Sequence, residues 1–414
     1  MNKFRTVSRA AIAAGLILSS ASLSAAESIT LWTLNFSSEA ASKAFNAIVS
    51  NFEAANPGTE ITIVTRGTDD HKTAIRVAAG TDKGPDIYFM WAGLGLGGEY
   101  VKAGLSLPLD KYYAEYKWDD ELIPAAGSFS RMYPGGRHGV PSSLSGEGLY
   151  YNKALFAKAG ITSIPADYDE LVADAEKLKA AGIPAITFGG TVNWHVMRLM
   201  DVILEAKCGA DKHDALTAMS LKWTEEACVV QAFGELQKWG KNYVLSPFMG
   251  IDDSQAFNLF IADRAAMMLE GDWLVQQLVE AGKIDQIDLF LFPTGTNRLY
   301  GFANYYYVSS KSKNPDLAAK FLDYLLSTPV QQSLLGVSGT TSVNKNVAYG
   351  ELRPMAKKWL GLFNTYDKVF LNGDQAFPLD ITTEYFRVIN EVVSGNMAPA
   401  DAAAAMQTFI TNKG

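Results

Sequence analysis

Cysteine is nearly absent from these 414 residues, with 2 in all, and histidine is scarce, with 4. Two cysteines cannot staple a disulfide-dense scaffold. The histidines, His71, His138, His195 and His213, show no zinc-ligand spacing, and no HExxH motif occurs. No serine stands in a GxSxG elbow. Clusters of Lys and Arg are missing, and the formal net charge is -8. Both features argue against a nucleic-acid partner, which would need grouped cations for its phosphates. Past the N-terminus no apolar run is long enough to cross a bilayer. Internal repeats, low-complexity tracts and flexible linkers are also lacking.

What is there is apolar and aromatic. Hydrophobic residues make up 48% of the chain, with 8 Trp, 18 Tyr and 21 Phe, which excludes a wholly disordered polymer. Single cores stop growing near roughly 250–300 residues, so a chain of this length predicts two lobes. Residues 1–26 read as a secretory signal peptide. Lys3, Arg5 and Arg9 precede the apolar run Ala10–Leu18, and Ser24-Ala25-Ala26 offers small residues for cleavage. Export is therefore expected, with a mature chain from about Glu27. Losing three basic residues takes its charge from -8 to -11. No cysteine at the cleavage point speaks for a lipid anchor. In an oxidising compartment Cys208 and Cys228 are expected to pair, the alternative being two separately buried thiols.

Strand-like runs alternate with helical patterns. ITLWTL (29–34), ITIVT (61–65), DIYFMW (86–91), ITF (186–188), AMML (266–269), LFLF (289–292) and YYYVS (305–309) predict strands. Glu39 to Ala55 is helical, stopped by Asn56-Pro57-Gly58. Asp167 with Glu170 forms a capping-box pattern, Gly182 ends that helix, and Asn314-Pro315-Asp316 opens another. The alternation predicts an α/β fold with mostly parallel sheets flanked by helices. Two lobes without a linker predict more than one crossing between them.

Gly93-Leu94-Gly95-Leu96-Gly97-Gly98 matches GxGxxG after a strand. It follows the third strand rather than the first, the nearest plausible acid, Asp110, comes too early and not at a strand end, and an exported protein has little access to nicotinamide cofactors, so a dinucleotide reading is set aside. A flexible glycine loop at a strand end, where α/β folds bind ligands, is the preferred reading.

Longer blocks carry a resemblance. NFEAANPG, AAGTDKGPDIYFMWAGLGLGGEYVKAGLSLPLDKYY, GVPSSLSGEGLYYNKALFAKAGI, ADYDELVADAEKLKAAGI, FIADRAAMMLEGDWL and KNPDLAAKFLDYLLSTPVQQSLL follow in order, ending with VVSGNMAPADAAAAMQTFI. Together they resemble the periplasmic solute-binding proteins of ABC-type sugar importers, the group that includes maltose-binding proteins. The resemblance spans Ile29 to the final helix. It implies a two-lobed periplasmic-binding-protein fold with three interlobe crossings, near His138–Ser143, Phe292-Pro293 and Gly339–Ser342. Lobe 1 would comprise residues 27–141 plus 293–340, and lobe 2 residues 142–292 plus 341–414. It further implies a periplasmic monomer that closes on a sugar and docks on an inner-membrane permease, with no cofactor, no metal and no catalysis.

A sugar offers C–H faces to flat rings and hydroxyls to polar side chains. Trp91, Trp194 and Trp273 stand where the family puts stacking residues, with His195 beside Trp194. Asn35 and Glu39 flank a helix start after the first strand. Ser143, Ser145 and Glu147 lie at the first expected crossing, Asn304 and Tyr305 after the second, and Thr340 and Thr341 at the third. Thr382 and Thr383 replace an aromatic of the maltose-binding pattern, which speaks against maltose-like specificity. Two alternatives stay open. One is another polar solute (a polyol, glycerophosphodiester or sulfonated sugar), for which Arg66, Arg137 and Arg298 are the unplaced cations. The other is an exported carbohydrate-active enzyme.

Overall fold

Alternation builds the first strand. In β1 (Glu27–Leu34) Ile29, Leu31 and Thr33 are buried while their neighbours are not, so one face of the strand meets the core. The helix Glu39–Ala55 covers it with Ala41, Phe45, Ile48, Val49 and Phe52, spaced along one face. Ser38 caps that helix by accepting from Ala41 N–H at 2.9 Å. The computed structural model describes residues 27–413 apart from 79, 80, 82, 336, 338–340 and 367. The expected signal peptide, and Gly339 and Thr340, lie outside the described residues.

The remaining strands are β2 (Thr59–Arg66), β3 (Ile87–Trp91), β4 (Val140–Asn152), β5 (Met267–Gly271), β6 (Ile287–Phe290), β7 (Leu299–Val308) and β8 (Val369–Phe370). Their order is β2-β1-β3-β7-β4-β5, with β6 also on β4 and β8 on β7. The α/β class holds, but the sheet is mixed rather than mostly parallel. β1 pairs parallel with β2 and β3, and β7 with β8. β7 runs antiparallel to β3 and β4, and β4 antiparallel to β5 and β6. The run at 186–188 is not a strand; Ile186 makes isolated bridges to Val244 and Met267. Asp167 caps its helix as expected, accepting from Glu170 N–H. Asn314 does not cap: its amide instead donates to Ser28 O at 2.9 Å.

Packing divides the molecule into two lobes. Val140 packs with Ile29, Leu31 and Phe321 in one core, and Leu144 beside it with Tyr88 and Tyr307. Leu149 and Tyr150 already belong to the other side, with Met200, Phe233 and Trp359. The first crossing therefore lies in Ser145–Gly148, a few residues beyond the expected stretch. The second lies at Gly301-Phe302 rather than Phe292-Pro293, because Phe292, Leu299 and Tyr300 are still in the second lobe's cores. The third comes after Lys345, not at residue 341. Val343 is buried in the first core, and Ile123 N–H and Lys345 N–H bond across to Val343 O and Glu121 O. The chain reaches the second lobe by Met355.

The glycine loop is neither in the cleft nor free. Gly95 N–H donates to Gln375 O at 3.3 Å, joining the first lobe to the short helix Gly373–Ala376 of the second. A Cβ on Gly95 would stand 2.2 Å from Phe377 O, so bare backbone is required there. In the second lobe Cys208 and Cys228 form a disulfide between the helices Asn193–Cys208 and Ala227–Asn242.

Two outcomes are expected. Reduction of the Cys208–Cys228 bond, which closes a separation of 20 residues, should lower stability by roughly 3 kcal/mol. Equal denaturant midpoints with and without reductant would refute this. Gly95→Ala should leave both cores folded but oppose lobe closure. Small-angle scattering should then give a larger radius of gyration than wild type, and an unchanged radius would contradict the close approach.

Candidate ligand-binding cleft

Between the lobes lies a cavity of about 460 Å³, a usual size for a small-molecule site. The first lobe supplies Trp91 at the end of β3, Phe89 on the same strand, Arg66 at the end of β2, and Lys72. Trp91 packs edge-on against Phe89, ring centres 4.9 Å apart, and Lys72 Nζ lies 4.9 Å from the Trp91 ring. The second lobe supplies Trp194, second residue of the helix Asn193–Cys208, and Trp273, just before the helix Leu274–Glu280. Trp273 tilts against Phe302 of β7 at 5.6 Å. The three tryptophans are half-buried, which suits a ring with one face packed and one offered to a ligand.

The floor comes from β4 and β7. A bulge between Pro141 and Ser143 shifts the register and turns Ser142 and Ser143 toward the cavity. Asn304 Nδ2 donates to Ser143 Oγ at 2.7 Å and Ser145 Oγ at 3.3 Å. Apart from Arg198, whose nitrogens face carboxylates, six lining residues carry a buried polar atom without a hydrogen-bond partner among the described residues. Arg66 Nη1 and Trp194 Nε1 are donors; Asn304 Oδ1, Asn372 Oδ1, Asp374 Oδ1 and Gln375 Oε1 are acceptors. Lys72 of one lobe faces Asp374 of the other at 3.8 Å.

Eight of the twelve residues expected at a ligand site line this cavity: Asn35, Trp91, Ser143, Ser145, Trp194, Trp273, Asn304 and Thr341. The other four are placed away from it. Glu39 points to solvent and pairs with Lys43 at 2.6 Å. Tyr305 faces opposite to Asn304 by strand alternation, its buried hydroxyl donating to Ala126 O. Glu147 and His195 are buried behind the wall. Among the unplaced arginines only Arg66 reaches the cavity, its guanidinium 4.0 Å from the Trp32 ring. Arg137 pairs with Asp119, and Arg298 with Glu205 and Asp214. The hydroxyls of Thr382 and Thr383 are turned to Phe377 O and Leu379 O, in a neighbouring cavity.

Sequence reading missed Arg198, which lines the cavity and is 6% exposed. Its Nε lies 2.5 Å from Glu147 Oε1 and its Nη1 2.9 Å from Glu270 Oε2. Asn372 Nδ2 donates to Glu147 Oε2 at 3.0 Å. Glu270 Oε1 meets His195 Nε2 at 2.7 Å, and His195 Nδ1 accepts from Gly189 N–H at 2.7 Å. That last bond leaves the ring proton on Nε2, so the imidazole is neutral and donates to Glu270. One guanidinium thus serves two carboxylates. Burial pushes Glu147 up to about 8, against the pull of Arg198. Burial also works against Glu270, but Arg198 and His195 together hold it below the usual carboxylate value. No set of three or more His, Cys, Asp or Glu could hold a metal among the described residues.

A model of the bacterial extracellular solute-binding proteins matches residues 36–332, most of the chain. The chain belongs to that family. A putative binding protein of Brucella abortus (strain 2308) is 27% identical over 355 residues, covering 82% of each chain. A probable sugar-binding periplasmic protein of Rhizobium meliloti (strain 1021) is 24% identical over 318 residues, covering 74% of this chain and 76% of the other. Among solved structures, a chitin oligosaccharide binding protein superposes with a TM-score of 0.84 at 24% identity, over 94% of this chain and 99% of that one. At that identity the likeness carries the two-lobed fold. In this solute-binding family the cleft between lobes is the site to test.

Burial holds the His195 pKa below its ordinary value, Glu270 opposing. Below about pH 6.5 the unfolded chain therefore binds a proton at residue 195 that the folded chain refuses. A depressed pKa contributes stability above that pH, which is lost as the pH falls. His195→Gln cannot titrate, so its cost relative to wild type should shrink between about pH 7.5 and about pH 5.5, by at most about 1.4 kcal/mol per unit. Denaturant midpoints at both pH values measure this, and a cost that grows in acid would contradict a neutral buried imidazole.

Proposed function

We propose that the cleft binds a sugar or oligosaccharide with high affinity, without catalysis, and that the closed monomer delivers it to an ABC-type importer in the periplasm. The observation that carries this reading is the composition of the cavity wall. Flat rings stand on both lobes, Trp91 opposite Trp194 and Trp273 in lobe terms, and unpartnered polar atoms lie among them. Four of those six atoms are acceptors. A ligand that satisfies them must donate hydrogen bonds while tolerating apolar ring faces, as hydroxyls on a pyranose do. The names of the relatives, a sugar-binding periplasmic protein and a chitin oligosaccharide binding protein, support the same class.

Because the ligand touches both lobes, its binding favours the closed arrangement over the open one by differential contact. Glu147 and Glu270, which an enzyme could use as an acid–base pair, are both engaged by Arg198. That supports binding rather than hydrolysis. Arg66 keeps a second reading in the test, a sugar bearing an acidic group, since no carboxylate pairs with it among the described residues.

A thermal-shift screen against mono-, di- and trisaccharides and sugar phosphates should raise the melting temperature with at least one sugar, recovered unchanged. Absence of any shift would sink the proposal, and turnover abolished by Asp272→Asn, a buried carboxylate that lines the cavity beside Trp273, would favour an enzyme. With the ligand in hand, Trp273→Ala should cost on the order of 2 kcal/mol, about thirtyfold in Kd by calorimetry. Wild-type affinity in that variant would remove Trp273 from the site.

A further inference from the structure

The two tryptophans of the second wall come from segments far apart in sequence, yet they share one neighbour. The Arg198 guanidinium carbon lies 4.4 Å from the Trp194 ring centre and 5.1 Å from the Trp273 ring centre. Both distances are within the reach of cation–π attraction. Each ring is partly buried, Trp194 edge-on to His195 at 4.1 Å and Trp273 tilted on Phe302 at 5.6 Å, and Trp194 Nε1 has no hydrogen-bond partner among the described residues. The guanidinium is fixed. Glu147 and Glu270 grip two of its nitrogens. Asn372 and His195 fix the two carboxylates, and Gly189 N–H fixes His195. Rigidity thus passes from backbone to imidazole to carboxylate to guanidinium, and ends on two rings facing the cavity.

On the sugar-binding reading of the cleft, we infer that Arg198 is a positioning residue that sets the planes and spacing of Trp194 and Trp273, and that it governs affinity through those rings. The buried charges fit this role better than a purely stabilising one. A desolvated Arg with two Glu is often replaceable by apolar side chains at no loss of stability, so such a group needs another reason to be there. A lysine would keep the charge but lose the planar fork and the flat face that the rings use.

Arg198→Lys is the decisive variant, read in three ways. It should keep the far-ultraviolet spectrum and a cooperative melt. The tryptophan bands of the ligand-free near-ultraviolet circular dichroism should weaken as the rings lose their fixed planes. Kd for the sugar found in the screen should rise roughly tenfold. In a Trp194→Ala, Trp273→Ala background the same change should alter Kd by less than about twofold, because the path through the rings is gone. Unaltered near-ultraviolet bands, a Kd within about twofold of wild type, or an equal loss in the background without the rings would overturn the inference. Should Arg198→Lys fail to fold, the triple change Arg198→Gln, Glu147→Gln, Glu270→Gln removes the charges together, and the same readouts apply. If wild type binds no sugar, the functional reading fails, while the near-ultraviolet comparison of ligand-free proteins still decides the role of Arg198.

Discussion

The antiparallel pairing of β4 with β7, from Val140 opposite Tyr306 to Gly146 opposite Gly301, is the interaction on which both lobes hang. Each strand starts in one lobe and ends in the other, so the sheet is continuous where the cores are not. The stretch that changes lobes holds Gly146, Gly148 and Gly301, and a side chain at Gly301 would strike Ser145 O. Ser143, Ser145 and Asn304 sit on the same ladder and form the floor of the cleft. A solute held in this cleft would rest on the ladder that joins the lobes.

Charge in the second lobe is buried only where it is answered. The helix Asn193–Cys208 is buried from His195 to Glu205, including four ionisable side chains. His195 and Arg198 meet Glu270 and Glu147, Asp201 takes hydroxyls from Tyr300 and Tyr385 and Gly373 N–H, and Glu205 pairs with Arg298. Leaving any one of these alone in so dry a place would cost several kcal/mol. The network ties the helix to β4, β5 and residues 372–373, which are the parts that frame the cleft.

Much of this was legible in the sequence, and what was not has a physical cause. The helix Glu39–Ala55 shows its buried face directly as spacing, and short apolar, β-rich runs mark β1 to β3. Trp273 stood out as a large ring beside Gly and Asp at a strand end, and Trp194 as one that opens a helix after a glycine turn. The crossings slid by several residues because a strand that changes lobes keeps its pattern; only the partner core changes. Tyr305 was misplaced for the same reason, one step of alternation turning it from cleft to core. Arg198 left a signal that went unread. His195, Arg198, Asp201 and Glu205 recur every three or four residues in an otherwise apolar helix, which marks one polar stripe that must find partners inside. The glycine loop misled because sequence cannot distinguish backbone that needs freedom from backbone that needs closeness.

The continuous sheet also dictates when the chain can fold. β3 has β7 as its neighbour, and the hydroxyls of Thr33 and Tyr306 meet across 273 residues of sequence. The first lobe further needs the helix Pro315–Leu326, whose Asp323 receives the Trp118 indole N–H from 205 residues away. A ribosome that has delivered the first 250 or so residues has made neither the strands β5 to β8 nor the helix Pro315–Leu326, so both lobes are still unfinished. Closing such long loops makes folding slow compared with a chain of local contacts. β1, β2 and β3 can pair among themselves early, but the sheet of the first lobe stays open at β3 until β7 and the helix Pro315–Leu326 have been made.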